Sequence, residues 1–137
     1  MPKIRLNSTR GVVQESGGGV ALYNTVQEIA CTSATVGAHQ ILAASSLVVA
    51  ESTGNTDVLT LPATGSLPAG HTIFIVNKDQ THDLEVTPLD QSGGEMINGV
   101  AGGQLLLGEK TAATFVYTGA GNPGWFAVVS DTTNLPN

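Results

Sequence analysis

The five residues "DQTHD", Asp79 to Asp83, place two carboxylates and an imidazole within one turn. Such a set could hold a cation through its oxygens and ring nitrogen. The same residues also build ordinary turns, because an Asp side chain accepts bonds from backbone N–H groups just after it. A turn is therefore the expected role. Asp83 and Glu85 form a second pair. On a strand, residues two apart share a face and sit roughly 7 Å from each other. That separation suits the two carboxyls of an inverting glycosidase. Both stand on the polar side of "DLEVTP", so a solvated strand face is expected and a carbohydrate-active enzyme is the outlying reading.

Other reactive types are scattered. Cys31 is the one cysteine, which rules out a disulfide framework or a zinc cluster built on cysteines. It has no neighbouring cation or histidine in sequence, so it reads as a buried, inert thiol. His39, His71 and His82 are far from one another in sequence. "GQLLLGEK", Gly103 to Lys110, has the flavour of a phosphate loop but sets Glu109 between glycine and lysine, and its three leucines suit a strand. No nucleophile-elbow pattern occurs. Trp125 could be a platform for a sugar ring, but with six aromatic residues in the chain a core anchor is the stronger role. No catalytic constellation emerges. The chain reads as a non-enzyme with no cofactor and no metal, and an assembly or binding role remains.

The elements that must carry any such role follow from composition. The chain has 137 residues, the size of one domain, and only 12% are charged, against about 25% in typical domains. Seventeen glycines and six prolines, with many Thr, Ser, Val and Ala, suit strands and turns and disfavour long helices. A surface so poor in charge invites association with partner chains. The net charge of −6 argues against direct nucleic-acid binding, which needs a basic face. Lys3, Arg5 and Arg10 put +3 in the first ten residues, so the other 127 carry −9. A basic arm on an acidic body could dock on a neighbouring subunit. No apolar run is long enough to span a membrane, and no stretch resembles a signal peptide, so assembly in a cytoplasm is expected.

Along the chain, residues 1–19 read as an arm with strand-like "KIRL" and "GVVQ", closed by a hinge at Gly17, Gly18 and Gly19. Residues 20–131 read as one β domain, and 132–137 as a polar tail. "VALYNTVQEIACT" suits a strand or a short helix, with the strand favoured by Val20, Tyr23, Thr25, Val26 and Ile29; "HQILAASSLVVAE" is open in the same way, and Ser45-Ser46 could break it into two short strands. "TDVLTL" alternates, with Leu59 and Leu61 opposite Thr60, and ends at Pro62. "PATGSLPAG" is a loop in which Gly70 takes a positive φ. "HTIFIVN" sends Ile73 and Ile75 to one face and Phe74 and Val76 to the other, so it needs cover on both sides. "DLEVTP" sets Leu84 and Val86 against Asp83, Glu85 and Thr87. "GWFAVVS" sets Trp125, Ala127 and Val129 against Phe126 and Val128. Short strands at about ten-residue spacing with Gly/Pro turns predict an all-β, antiparallel β-sandwich or barrel, jelly-roll-like, with an extended N-terminal arm. Phe74, Val76, Trp125 and Phe126 are its candidate core or interface residues.

From Thr60 to Trp125 the residues carry a resemblance. "LTLPATGSLPAGHTIFIVNKD" is similar to a segment of tailed-bacteriophage virion proteins, in which leucine-proline, proline-alanine-glycine and I-x-I-x-N follow in order. It occurs in capsid decoration (cement) proteins and in tail-fibre domains. "DLEVTPLDQSGGEMING" resembles their following hairpin, and "TAATFVYTGAGNPGWFAV" their closing one. The resemblance implies a homotrimer of β-sandwich or barrel subunits on the outside of the expanded capsid, bound to the major capsid protein and resisting the pressure of packed DNA. Lys3, Arg5 and Arg10 would then contact capsid or a neighbouring subunit, with the glycines as hinge. The alternative is a tail-fibre or receptor-binding module that recognises host glycan through Trp125 and loop polar groups.

Overall fold

The computed structural model describes residues 3–7, 11–16, 26–92, 94–119 and 124–130. Strands β1 (Lys3–Asn7) and β2 (Gly11–Ser16) pair antiparallel in a small sheet of their own. The body follows as β3 (Val26–Cys31), β4 (Leu47–Ser52), β5 (Val58–Thr60), β6 (Thr72–Asn77), β7 (Leu84–Thr87), β8 (Met96–Ile97), β9 (Val100–Ala101), β10 (Leu105–Leu107), β11 (Ala112–Tyr117) and β12 (Gly124–Val129). A large sheet has the order β3-β4-β6-β11-β12-β8-β9, and a small one the order β10-β7-β5. The architecture is all-β in two layers, consistent with a β-sandwich.

Pairing differs from the expected all-antiparallel pattern. β3 with β4, β4 with β6, β5 with β7, and β8 with β12 run parallel. The reason is a winding path. The chain passes from β4 in the large sheet to β5 in the small one, back to β6 beside β4, then to β7 beside β5. Each circuit returns in the same direction, so neighbours in a sheet are parallel, and such pairs need long connections rather than tight turns. A parallel bridge between Gln40 and Thr60 belongs to an earlier circuit. This is also why "HQILAASSLVVAE" yields one strand and a bridge instead of two strands. In the last third β11 runs antiparallel to both β6 and β12, while β8 lies parallel beside β12.

The closing hairpin expected from the resemblance is present as β11–β12. The hairpin expected before it is not, because β7 and β8 lie in different sheets. The connection between them crosses the sandwich and is tied down by Glu95, which accepts bonds from the Thr64 hydroxyl and from Asp90 N–H (3.0 Å). At its end, Met96 pairs with Ala101 and Ile97 with Val100 across Asn98-Gly99, both at positive φ (52° and 81°). Two such residues make the two-residue turn that Asn-Gly favours.

The core lies between the layers. Val48, Ile73, Ile75, Ala113, Phe115 and Trp125 from the large sheet meet Leu59, Leu84, Val86 and Leu107 from the small one. Gly70 (φ 87°) turns the chain into β6, and its N–H donates to Tyr117 O at 2.7 Å. Thr60 and Thr87, expected opposite the apolar sides of their strands, are fully buried all the same. Loop 32–46 supplies part of that cover, since Gly37 N–H donates to Thr60 Oγ1 at 2.8 Å.

Two polar groups sit inside and brace the sandwich. Asn77 is fully buried at the end of β6. Its Nδ2 lies 3.0 Å from His82 O, 3.1 Å from Leu107 O and 3.1 Å from Gly108 O, and its Oδ1 accepts from Asp79 N–H at 3.2 Å. One side chain thus ties the large sheet to the end of β10 and to the turn before β7. Asp57 Oδ2 accepts from Thr53 N–H (2.7 Å), Thr53 Oγ1 (2.9 Å), Gly54 N–H (3.0 Å) and Ser52 Oγ (3.2 Å). Burial pushes this carboxyl up, but the bonds from Thr53, Ser52 and Gly54 outweigh it and hold the group below the usual carboxylate range.

Candidate functional site

Successive residues of a strand face opposite ways, so every side chain that β4, β6, β11 and β12 send to the core has a neighbour sent outward. In most sandwiches those outward positions are polar. Here they are not. The register aligns Val26, Leu47, Phe74, Thr114 and Val128 in one row across five strands. A second row holds Thr72, Val116 and Phe126. A third holds Glu28, Val49, Val76 and Ala112. Phe74 is 44% exposed, Phe126 58%, Val128 74% and Val26 54%. Leu47, Val49, Val76 and Val116 are half-buried among them.

Five strands at about 4.8 Å and three rows at about 7 Å give this face a span of about 19 by 14 Å. A depression of about 230 Å³ opens along Phe74, Thr114, Val128 and Ser130. At the β3–β4 end the face becomes charged. Glu28 and Glu51 border a second depression of about 260 Å³, and Lys78 Nζ stands 3.2 Å from Glu51 Oε2. An apolar surface of this extent, rimmed by charge, is the form that contact with another macromolecule takes.

The remaining candidates resolve as follows. Phe74, Val76 and Phe126 fall together on this face. Trp125 does not: it is fully buried on the opposite side of β12, with its ring 5.4 Å from that of Tyr117 and edge-on to His71 at 6.5 Å. It anchors the core and offers no face to a sugar. Lys3 and Arg5 lie in β1. Arg10, the glycines Gly17, Gly18 and Gly19, and the tail 132–137 lie outside the described residues.

"DQTHD" is a turn held by its first residue. Asp79 Oδ1 accepts from Thr81 N–H (2.7 Å), His82 N–H (2.7 Å) and Thr81 Oγ1 (3.2 Å), and lies 3.1 Å from His82 Nδ1. The Thr81 N–H is the main cause that keeps this carboxyl below its usual range. Among the described residues no group of three His, Cys, Asp or Glu side chains is placed to hold a metal ion. Asp83 and Glu85 are half-buried, and Glu85 aligns with Val58 and Leu106 across the small sheet. Cys31 is buried, and burial first, then the Asp57 charge, push its thiol up to about 11. It has no nucleophilic character at neutral pH.

Sequence reasoning did not place Val26 and Leu47 on the face. Their membership depends on which strands pair, and no local pattern carries that. Val116 and Val128 were within reach, since each follows by alternation from its neighbours in β11 and β12.

No protein-family model matches the chain, and no curated protein matches it either.

Proposed function

We propose that this chain is a virion structural protein of the head-decoration, or cement, class. It binds the outside of an expanded phage capsid as a homotrimer and stabilises the shell against internal DNA pressure. The observation that carries the reading is the apolar outward face of the large sheet. A complete core already lies on the other side of that sheet, so Phe74, Phe126 and Val128 serve nothing within one subunit. A chain that leaves them in contact with water is built to cover them with another copy. The residues of the phage-like segment support the reading too. Pro62, Gly70 and Asn77 sit at the strand stop, the turn and the polar brace that hold β6 in place.

The mechanism is physical. A trimer that bridges several capsomers adds contacts that must break before the shell opens. Binding only the expanded state shifts the equilibrium toward it by mass action. Many weak contacts on one lattice add through avidity. The partner is the major capsid protein, and neither nucleic acid nor membrane takes part. The glycan-binding alternative loses its main support with Trp125 in the core.

Purified protein added to expanded heads that lack it should bind saturably and stoichiometrically and raise their survival of heat or chelator. Binding to host cells or glycans but not to shells would reject the proposal. The solution mass is a quicker test: three chains of 14.0 kDa give about 42 kDa. A mass of one chain at micromolar concentration would remove the trimer.

A further inference from the structure

We infer that the outer edge of β3 takes an extended segment of a different protein by strand addition, one in which a lysine or arginine stands between apolar residues. The edge lies beside the apolar face, but neither the edge nor its binding depends on a trimer or a capsid. Three observations lead to it.

The first is which backbone groups are open. β3 ends the large sheet and pairs with β4 alone among the described strands. Along a strand the N–H and C=O of one residue point to one side, and those of the next residue to the other. Thr53 N–H donates to Cys31 O at 3.1 Å, so Cys31 points toward β4. Thr32 points the other way, and its N–H donates to His39 Nε2 at 3.1 Å. By the same alternation the backbone groups of Glu28 and Ala30 aim at the open side. Among the described residues no hydrogen bond engages them there.

The second is the length and firmness of the edge. Proteins blunt sheet edges by keeping them short, by covering them, or with lysine, proline and bulges. In the two body sheets, edge strand β9 has two residues, and β10 and β5 have three each. β5 is covered as well: Val58 N–H donates to Ser33 O (2.9 Å) and Thr60 N–H to His39 O (2.8 Å). β3 has six residues, about 20 Å of strand, with no lysine, proline or register shift. Gln27 pins it from the core side. Its Oε1 accepts from Leu42 N–H (2.9 Å) and Ser45 Oγ (2.8 Å), and its Nε2 donates to Gln40 O (3.2 Å). A strand held this way needs little ordering to receive a partner.

The third is charge, which selects the occupant. Glu28 stands exposed at mid-edge, and among the described residues no ion pair engages it. Lys78 is turned instead to Glu51, at 3.2 Å. Two copies joined edge to edge in full antiparallel register would set Glu28 against Glu28, and like charges directly opposite destabilise a strand pair. A lysine or arginine there meets its opposite charge. The depression of about 260 Å³ beside Glu28, bordered by Ala30 and Val49, has room for its aliphatic stem. An apolar residue two positions away falls in line with Val26. Main-chain bonds then supply affinity, and these side chains supply specificity.

Amide hydrogen exchange on the purified full-length chain tests this. The probe is the capped peptide Thr-Val-Thr-Lys-Thr-Val-Thr, whose pattern is the same in both directions. At saturation it should slow exchange at Glu28 and Ala30 about tenfold or more. Thr32, whose N–H is already bonded to His39, should not change. N-methylation of every backbone nitrogen of the peptide should abolish the effect. Replacing the peptide's lysine by glutamate should raise the dissociation constant about fivefold, and Glu28→Lys in the protein should reverse that preference. No slowing at millimolar peptide overturns the inference, and so does equal binding of the two peptides. Slow exchange at Glu28 and Ala30 without any peptide also overturns it. Protection that fades on dilution would give the edge to a second copy, and protection that persists would mean that the chain covers its own edge.

Discussion

If the proposed trimer forms through this face, replacing Phe74 and Phe126 together by serine should dissolve it and spare the fold. A phenylalanine side chain presents about 200 Å² when fully accessible. At 44% and 58% exposed, the two leave about 200 Å² of apolar surface in water on each subunit. Covering all of it is worth about 5 kcal/mol per subunit, and covering half about 2.5 kcal/mol. Losing that shifts dissociation by between two and four powers of ten, at about 1.4 kcal/mol per decade. The cost to the isolated subunit is small, because neither ring belongs to the buried core. Sedimentation velocity across a concentration series measures the first effect. Urea unfolding followed by the fluorescence of Trp125, the one tryptophan and fully buried, measures the second. The reasoning is refuted if the double variant keeps its wild-type mass down to nanomolar concentration. It is refuted equally if the unfolding midpoint collapses while the mass is unchanged, since the rings would then serve the subunit's own fold.

Three further outcomes test the interior. Asn77→Ala removes donors from three carbonyls and should cost about 3 kcal/mol in urea unfolding. Asn77→Asp should cost more at pH 7 than at pH 4, because a carboxyl facing carbonyl oxygens keeps its proton to higher pH in the fold than in the unfolded chain. For Asp57 the sign is opposite. Its folded pKa is depressed, so its stabilisation is fully present above about pH 4 and lost as pH falls through the folded value. The stability gap between wild type and Asp57→Asn, about 2 kcal/mol at pH 7, should therefore close on acidification. Cys31 should resist a thiol reagent at pH 8 in the native protein and react fully in urea; rapid native reaction would contradict its burial.

The sequence by itself determined the class of element and much of the apolar outward face. β-branched and aromatic residues at short spacing, broken by Gly and Pro, allow little but strands and turns. The alternation in "TIFIVN" and "GWFAVVS" already separated Phe74 and Phe126 from Ile73, Ile75 and Trp125, because the two-residue period of a strand is local. Asn98-Gly99 announces its turn in the same local way, although the apolar residues beside it read only as a short strand. What the tertiary structure decided is pairing. Parallel and antiparallel neighbours share one alternation, so nothing in "LVVAES" says that it lies beside "TIFIVN" and runs the same way. Pairing then decides burial where both faces are apolar, and it turns Thr60 and Thr87 inward by covering them. It also brings Val26 and Leu47 into line with Phe74 and Val128, residues far apart in the chain whose common face exists only once the strands are laid side by side.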